Sequence, residues 1–523
     1  MKDQIKLSMG EIFLSDSKRG TWASRSTFIL AAIGSAVGLG NAWRFPGLCA
    51  KHGGGAFLLV YLAAMLIIGI PLLTMEISIG RKVRGGAPKA MQSIKKKFEP
   101  IGWAATANAF VIEIYYAVVF AWVILMTVCS YKFAGLTGNS EAASGVWADM
   151  LKTTWDTSGY GIISWPVLIC LLVAWIGIYF CIRDGANSVG KVVKYTVFLP
   201  VACLLIMAIK GLTMPGAMEG LKVMFVPDLS ELANADLWID AVGQVFYSLS
   251  IMMAIMFAYG SFLQDDSNVA VDGLIIAFAD LAISVLSGIV LFTTMYGTGM
   301  TTADMSASGI ATAFLIYPSA IVHLTGSGVV NAIFAAVFYF CLCTLAIDSA
   351  FSIVEGVSTA IADKFHVTKR KATIGVCAVS AVFSLFFVTG AGVAWLDIVD
   401  NWCNSYNLIL VGLLEAVAIG WCFKLRKVLD EINRNTKRFK MPAWWFCTSI
   451  KFCAPILLGG FFLWNVITLF TKSDGIYGGY SLASNIIGGW AITILVFVSG
   501  FIVKLIAKRM HVEDEDQSHV WDE

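Results

Sequence analysis

Charged side chains are scarce in this chain. Only 14% of its 523 residues are Asp, Glu, Lys or Arg, whereas 58% are hydrophobic. Together with a mean hydropathy of +0.77, this composition excludes an ordinary water-soluble domain and indicates a polytopic membrane protein. The net charge of +2 gives no indication of nucleic-acid binding, and the basic residues lie in short loops.

Residue sets typical of enzymes and metal centres are also lacking. The twelve cysteines are scattered without metal-ligand spacing, and we interpret them as small apolar packing residues. Because no apolar segment offers a histidine or a nucleophile–base set, an enzyme is not expected. The chain has no Asn-x-Ser/Thr sequon, which favours a bacterial membrane, and the polar residues 1–25 do not form a cleavable signal peptide. The five histidines lie in loops or in the tail: His52, His323, His366, His511 and His519.

Long apolar segments are what the chain has instead. Each is long enough to cross a bilayer, so the prediction is an all-α membrane protein with twelve transmembrane helices. Lys and Arg concentrate before the first segment and after the second, eighth and tenth, so the positive-inside rule predicts cytoplasmic termini in a cell membrane. The loops near 133–162, 213–236 and 300–326 are expected to face outward and to contain short helices. Segments one to twelve fall at 26–48, 55–80, 100–131, 163–181, 190–212, 237–263, 270–296, 329–362, 372–394, 397–424, 446–471 and 482–507.

Segment one contains Gly34-Ser-Ala-Val-Gly-Leu-Gly-Asn41, followed by Pro46, which is poor helix material. Inside lipid, an interrupted backbone is tolerated only where protein buries it or a polar cavity receives it. Freed carbonyls there suit a cation, and freed N–H groups suit a carboxylate. The alternative is a glycine-packed helix crossing. Segment six repeats the pattern at Gly243-Gln-Val-Phe-Tyr-Ser-Leu-Ser250, as an inverted repeat would. Gly190 and Pro200 mark a second place where a helix could unwind.

Several carboxylates lie in apolar segments, where ionised groups are costly and functional by default. Asp280 and Asp348 are central in segments seven and eight, and their hard oxygens suit a hard cation. Glu76, Glu113 and Glu415 are better explained by helix ends or by neighbouring backbone groups. Glu113 has no assigned role, and both a headgroup-facing position and a proton-linked site stay open for it.

The motifs closely resemble the neurotransmitter:sodium symporters, in particular their bacterial amino-acid transporter branch, over about residues 18 to 507. This resemblance implies a leucine-transporter-like fold, with a five-plus-five inverted repeat and discontinuous helices 1 and 6. It also implies two sodium ions and an amino acid bound at the midplane. The matching stretches are Gly34-Ser-Ala-Val-Gly-Leu-Gly-Asn-Ala-Trp-Arg-Phe-Pro46, Gly53-Gly-Gly-Ala-Phe57, Pro71-Leu-Leu-Thr-Met-Glu76, Tyr115-Tyr116 and Trp238-Ile-Asp-Ala-Val-Gly-Gln244.

The resemblance also implies the ligands of each site. The first sodium site would use the Ala36 carbonyl with Asn41, Ser248 and Asp280. The second would use the carbonyls of Gly34, Val37 and Leu345 with the side chains of Asp348 and Ser349. The substrate carboxylate would accept hydrogen bonds from N–H groups near Leu39 and Gly40 and from the Tyr116 hydroxyl. The substrate amine would donate to carbonyls near Ala36, Tyr247 and Ser250. The substrate side chain would lie among Ala36, Ile112, Met253, Ser349 and Ile353.

Chloride and the gates follow from the same resemblance. Animal members bind chloride beside the first sodium, using an uncharged Asn and Ser of segment seven. Here Asp280 supplies a fixed charge, so transport independent of chloride is expected. The residues around Asp280 would be Tyr61, Gln244 and Ser284. Arg44 with Asp400 matches the outer gate, and Arg19 with Asp363 the inner one. The family usually has Gly after Ser250, where this chain reads Ile251-Met-Met-Ala254, so unwinding there must rest on tertiary contacts.

The expected function is sodium-coupled symport of a neutral, hydrophobic amino acid by alternating access. The alternative is a proton-coupled or other-solute carrier of the same fold; the amino acid and the oligomeric state stay open. Four parts are expected: a cytoplasmic N-terminal segment at 1–25, a transport core at 26–424, segments eleven and twelve with their preceding loop at 425–507, and an acidic, mobile cytoplasmic tail at 508–523.

Overall fold

The structure is a computed structural model that describes residues 20–304, 308–436, 439–471, 476–512 and 517–522. Within these ranges, ten helices are long and apolar enough to cross a membrane, and a bent helix pair is an eleventh candidate. No strand occurs there, only two isolated bridges. The ten helices are Gly55–Val83, Lys96–Val128, Trp165–Ile182, Ala186–Leu212, Val269–Gly297, Gly328–Phe365, Lys369–Val388, Gly392–Cys422, Ala443–Thr471 and Leu482–Arg509.

Segments one and six are the two that do not form a single long helix. Segment one is the bent pair Arg25–Ala36 and Gly40–Lys51, whose halves meet at 50°. Segment six consists of Ala235–Ser248 and Ile255–Ser261, with six non-helical residues between them. The two interruptions predicted from the glycine-rich and polar stretches are therefore present, and the all-helical architecture is confirmed.

Local signals explain several helix starts. The Ser24 hydroxyl accepts a hydrogen bond from the backbone N–H of Thr27 (3.2 Å) and caps Arg25–Ala36. The Asn268 side chain caps segment seven in the same way, through the N–H of Val271 (3.2 Å). Such side chains replace the missing intrahelical acceptors of a first turn.

Two predictions about segment boundaries are wrong. Segment nine ends at Val388 instead of reaching 394, and segment ten already begins at Gly392. Thr389 is extended there and bridges to Ile163, and Gly390 follows, so the short Thr-Gly-Ala linker stops the helix.

Segment five does not unwind between Gly190 and Pro200, where the sequence suggested a break. Only Val197 separates its two helices, and its backbone stays helical (φ −77°, ψ −38°).

Short helices cover both ends of the bundle. Ser140–Leu151, Ala217–Phe225 and Gly309–Ile321 lie in the three long loops, as expected from the sequence. Ala87–Ile94 and Leu425–Asn433 lie at the other end, which we call the terminal face because residues 20–25 and 517–522 are there.

The expectation of a mobile tail is wrong for residues 517–522. Trp521 is 5% exposed, and its indole N–H donates to the Ser93 hydroxyl (3.0 Å). Its ring packs edge-on against Phe423 at 5.3 Å, and Lys427 contacts Asp522 (3.4 Å). An aromatic anchor in an otherwise polar tail explains this packing, because burying it removes a large apolar area from water.

Candidate functional site

The interruption of segment one leaves backbone groups without helical partners. The helix ends at Ala36, and Val37 is extended (φ −82°, ψ 93°). The Gly38 N–H donates to the Asn41 side-chain oxygen (2.9 Å) instead of to the Gly34 carbonyl one turn earlier. Carbonyl oxygens at this end of the helix therefore have no helical donor.

The interruption of segment six is strained and is held by tertiary contacts. Ser250, Met252 and Ala254 have φ values of 52°, 64° and 61°, although none is glycine. This left-handed conformation costs roughly 1–2 kcal/mol per residue. The Met252 N–H donates to the Glu76 carboxylate (2.7 Å), and the Ser250 hydroxyl donates to the Ser35 carbonyl (2.8 Å). The glycine-poor stretch therefore unwinds through such contacts, as the sequence required.

A cluster of polar side chains surrounds Asp280 beside these two interruptions. Its carboxylate is fully buried and accepts from the Ser248 hydroxyl (2.6 Å) and the Tyr61 hydroxyl (3.0 Å). The Asn41 amide nitrogen lies 2.6 Å from the same carboxylate and 2.8 Å from the Ser284 hydroxyl. Four segments thus bring oxygen-rich groups to one point.

Gln244, which the sequence grouped with Tyr61 and Ser284, makes its hydrogen bonds to other residues. Its side-chain N–H donates to the Gly40 carbonyl (3.2 Å), and its oxygen accepts from Arg44 (3.4 Å). The reason is helical geometry: Gln244 and Ser248 are four residues apart on Ala235–Ser248, so Gln244 lies one turn away from Asp280.

A second cluster lies where segment eight meets segment one. Asp348 is 2% exposed, and its Oδ2 lies 2.6 Å from where a Cβ on Gly34 would be, so a larger residue at 34 would displace this carboxylate. Oδ1 of Asp348 is buried without a hydrogen-bond partner in the described part of the chain. The Ser349 hydroxyl lies even closer to where a Cβ on Gly38 would be. Leu345 is buried on the same helix, one turn before Asp348 and Ser349.

The candidate substrate pocket lies between the two clusters. The space left inside it is small, about 20 Å³, which suffices for one or two water molecules. The Tyr116 hydroxyl reaches this pocket, is buried, and has no hydrogen-bond partner among the described residues. The lining residues are Ser35, Ala36, Gly38, Leu39, Gly40, Asn41, Ile112, Tyr116, Tyr247, Ser250, Met253, Ile255, Ser349 and Ile353.

Every residue that the sequence assigned to the substrate lines this pocket. Ser35, Gly38 and Ile255 also line it and were missed. The serine–glycine-rich motif around the first break was a usable signal for Ser35 and Gly38. Ile255 had none, because its position depends on how the strained stretch of segment six turns.

The proposed gate residues are only partly brought together. The Arg44 guanidinium lies over the Tyr247 ring at 5.7 Å and makes no direct ion pair with Asp400, whose carboxylate instead accepts from Asn404 (2.8 Å). On the terminal face, Asp363 accepts from the Gly86 N–H (2.8 Å). Arg19, its expected partner, lies outside the described residues.

The terminal face is closed below the pocket by contacts that the sequence did not predict in detail. Trp22 is 1% exposed, and its indole N–H donates to the Tyr259 carbonyl (3.0 Å). Arg25 pairs with the buried Asp272 at 2.6 Å. Both contacts join the start of segment one to the stretch from segment six to segment seven.

The other three carboxylates singled out from the sequence, Glu76, Glu113 and Glu415, are all buried. Glu415 has no hydrogen-bond partner within the described ranges, and Glu76 holds segment six through Met252. Glu113 is 1% exposed and has no partner there either, so the headgroup-facing interpretation of Glu113 is wrong. The described residues contain no group of three or more His, Cys, Asp or Glu that could hold a metal ion. The two clusters therefore each rely on one carboxylate with neutral oxygens.

Comparison with known proteins agrees with this geometry. The chain is 31% identical over 507 residues to an uncharacterized sodium-dependent transporter of Methanocaldococcus jannaschii, covering 95% of this chain and 99% of the relative. It is 29% identical to the sodium-dependent neutral amino acid transporter B(0)AT3 of Rattus norvegicus, covering 89% and 87%. The crystal structure of MhsT in complex with L-phenylalanine superposes with a TM-score of 0.73 at 27% identity, covering 85% of this chain and 99% of MhsT.

The family assignment follows from a match along nearly the whole chain. Residues 19–137 and 133–511 match the model of the sodium:neurotransmitter symporter family. MhsT has the leucine-transporter-like fold, with which the two broken segments agree. The chain is a multi-pass membrane protein and belongs to the sodium:neurotransmitter symporter family.

Proposed function

We propose that the chain imports a neutral, hydrophobic amino acid together with two sodium ions and without chloride. The observation that carries this proposal is the position of the fully buried Asp280 cluster directly beside the candidate pocket, at the meeting point of both broken segments. Sodium binds oxygen ligands, and one carboxylate with neutral oxygens gives the charge balance of a monovalent cation.

The first sodium ion binds between Asp280, Ser248, Asn41 and the Ala36 carbonyl. In the structure the Asn41 amide nitrogen faces Asp280, and its oxygen accepts from the Gly38 N–H. Sodium coordination requires the amide to turn, so that its oxygen faces the ion. This turn frees the Gly38 N–H for another acceptor in the pocket.

The second sodium ion binds between segments one and eight. The carbonyls of Gly34, Val37 and Leu345 and the side chains of Asp348 and Ser349 form its shell. The partner-free oxygen of Asp348 and the extended backbone of Val37 support this assignment, because both leave oxygen lone pairs unused in a buried place.

The substrate is held at both of its charged ends. Its carboxylate accepts from the N–H groups of Leu39 and Gly40 and from the Tyr116 hydroxyl, which has no other partner in the described residues. Its amine donates to carbonyls near Ala36, Tyr247 and Ser250.

The substrate side chain lies against Ile112, Met253 and Ile353, and this apolar, adaptable wall selects a hydrophobic residue. Because only about 20 Å³ is open in the structure, binding requires Tyr247 and neighbouring side chains to move apart.

Alternating access completes the cycle in a twelve-span, five-plus-five inverted-repeat core with the terminal face in the cytoplasm. Each charge that crosses ~100 mV gains about 2.3 kcal/mol, so two sodium ions with a zwitterion gain roughly 4–5 kcal/mol. At ~1.4 kcal/mol per decade, this alone sustains about a thousandfold accumulation.

Uptake into proteoliposomes tests the proposal. A competition screen of the twenty amino acids identifies the cargo, and replacing sodium by choline at fixed pH should abolish uptake. Uptake that persists in choline would instead favour a proton-coupled carrier. Replacing chloride by gluconate should leave uptake unchanged, because Asp280 supplies the fixed negative charge. Loss of uptake in gluconate would overturn the proposed chloride independence but not the proposed sodium coupling.

A further inference from the structure

An open cleft of about 490 Å³ lies on the terminal face, where segment ten ends and segment eleven begins. Three cationic side chains line it: Lys424, Arg426 and Lys451. None of these side chains has an ion-pair or hydrogen-bond partner within the described ranges. Nearby cations differ, since Lys427 contacts Asp522 (3.4 Å) and Arg434 contacts Glu431 (3.8 Å). The cleft therefore collects positive charge that the described chain does not neutralise.

Exposed aromatic side chains flank the mouth of the cleft. Trp444 lines the cleft and is 75% exposed. Trp421 and Phe452 are also exposed and pack edge to face at 5.6 Å. Only 17% of the most apolar stretch of segment eleven is buried, so this helix presents most of its surface to lipid. Exposed tryptophans at the end of such a helix mark the headgroup level of a bilayer.

We propose that this cleft binds the phosphate headgroup of an anionic phospholipid. Unpaired Lys and Arg between transmembrane helices attract such headgroups, and each contributes roughly fivefold to the affinity. The phosphate contacts the three cations, and the acyl chains run along the exposed rings into the bilayer. The chain's own acidic run at 513–516 is the competing occupant. A lipid fits better, because those four acidic residues offer no apolar group to cover the aromatic mouth.

Thermal unfolding of the purified full chain in a neutral detergent tests this site. The probes are dioctanoyl phosphatidylglycerol, dioctanoyl phosphatidylcholine and inorganic phosphate, each titrated separately. The test variant carries Lys424→Gln, Arg426→Gln and Lys451→Gln. The matched control carries Lys504→Gln, Lys508→Gln and Arg509→Gln, which removes the same charge from the same face but away from the cleft.

Phosphatidylglycerol should stabilise the unmodified chain and the control at similar concentrations. The cleft variant should need at least a tenfold higher concentration, and phosphatidylcholine should have little effect on any of them. Uptake in phosphatidylcholine vesicles verifies that the cleft variant is folded. If the triple variant does not fold, the three single substitutions are titrated in its place. Equal stabilisation of the cleft variant would overturn the proposal, as would equal potency of inorganic phosphate. If stabilisation by phosphatidylglycerol becomes larger when the acidic residues 513–516 are changed to Gln and Asn, the acidic tail is the occupant of the cleft instead of a lipid.

Discussion

Replacing Asp280 by Asn should nearly abolish sodium binding at the first site while leaving the fold intact. The carboxylate is fully buried and keeps three polar neighbours within hydrogen-bond range, and an amide of the same shape can occupy that space. Two unit charges 4 Å apart attract by about 4 kcal/mol at an effective dielectric constant of ~20. At ~1.4 kcal/mol per decade, losing this attraction weakens sodium binding by roughly a thousandfold.

The assay is thermal unfolding of the purified protein, with the proposed second sodium site removed by Asp348→Ala in every sample, titrated with sodium gluconate against choline gluconate. A ligand at one hundred times its Kd adds about 2.7 kcal/mol to the stability of the folded state, which gives a measurable shift for the chain that keeps Asp280. The Asp280→Asn variant should show no comparable shift at the same sodium concentration. Adding chloride should restore part of it, because a bound anion can replace the missing charge.

Asp272→Asn is the matched control for this experiment. Asp272 lies on the same helix and is also buried, but it pairs with Arg25 at the terminal face. Its loss should lower stability without changing the sodium concentration that gives half the shift. The reasoning is refuted if Asp280→Asn keeps a half-maximal sodium concentration within threefold of the chain that keeps Asp280 when chloride is absent.

Three further outcomes are expected. Asp348→Ala should abolish sodium-dependent substrate binding in equilibrium binding assays, and unchanged sodium affinity would refute the second site. Ala254→Gly should change the unfolding temperature by only a few degrees, because glycine relieves ~1 kcal/mol of left-handed strain but loses a similar amount of backbone entropy on folding. Ala254→Val should lower the unfolding temperature clearly, because a β-branched residue is more strained in this conformation. Trp521→Ala should release residues 517–522, since losing a buried Trp costs about 3–5 kcal/mol. Faster hydrogen exchange at Ala87–Ile94 would show this release, and unchanged exchange would contradict the docking role of Trp521.

Much of the architecture could be predicted because lipid imposes strong constraints on sequence. Apolar length located the segments, and the glycine-rich motif located the first break. The pocket residues Ala36, Leu39 and Gly40 on segment one came from the resemblance to the symporter family, which did not supply Ser35 and Gly38. Asp280 and Asp348 stood out for the same reason, as carboxylates in otherwise apolar helices.

The details that the sequence does not supply concern features that only tertiary contacts decide. Nothing local in Ile251-Met-Met-Ala254 favours left-handed residues; Glu76, from another helix, holds Met252 in that conformation. Gln244 shares a polar stretch with Ser248, but its place one helical turn away gives it a different set of partners. Trp521 lies in an acidic stretch that composition alone marks as disordered. Its buried contact with Ser93 depends on a loop helix more than four hundred residues away in the chain.

The two proposed sodium ions would contribute to coupling in different ways. The Asp280 site and the pocket share Asn41, whose side chain holds the Gly38 N–H in the structure, so turning that amide toward an ion changes a donor that the pocket also uses. This gives sodium and substrate a direct interaction, and by linkage each must raise the affinity of the other equally. The Asp348 site joins segment one to segment eight and touches the pocket through Ser349 and Gly38. Its ion would therefore act mainly by fixing the angle between two helices, which selects a conformation of the gates, and Ser349 is the side chain that it shares with the pocket.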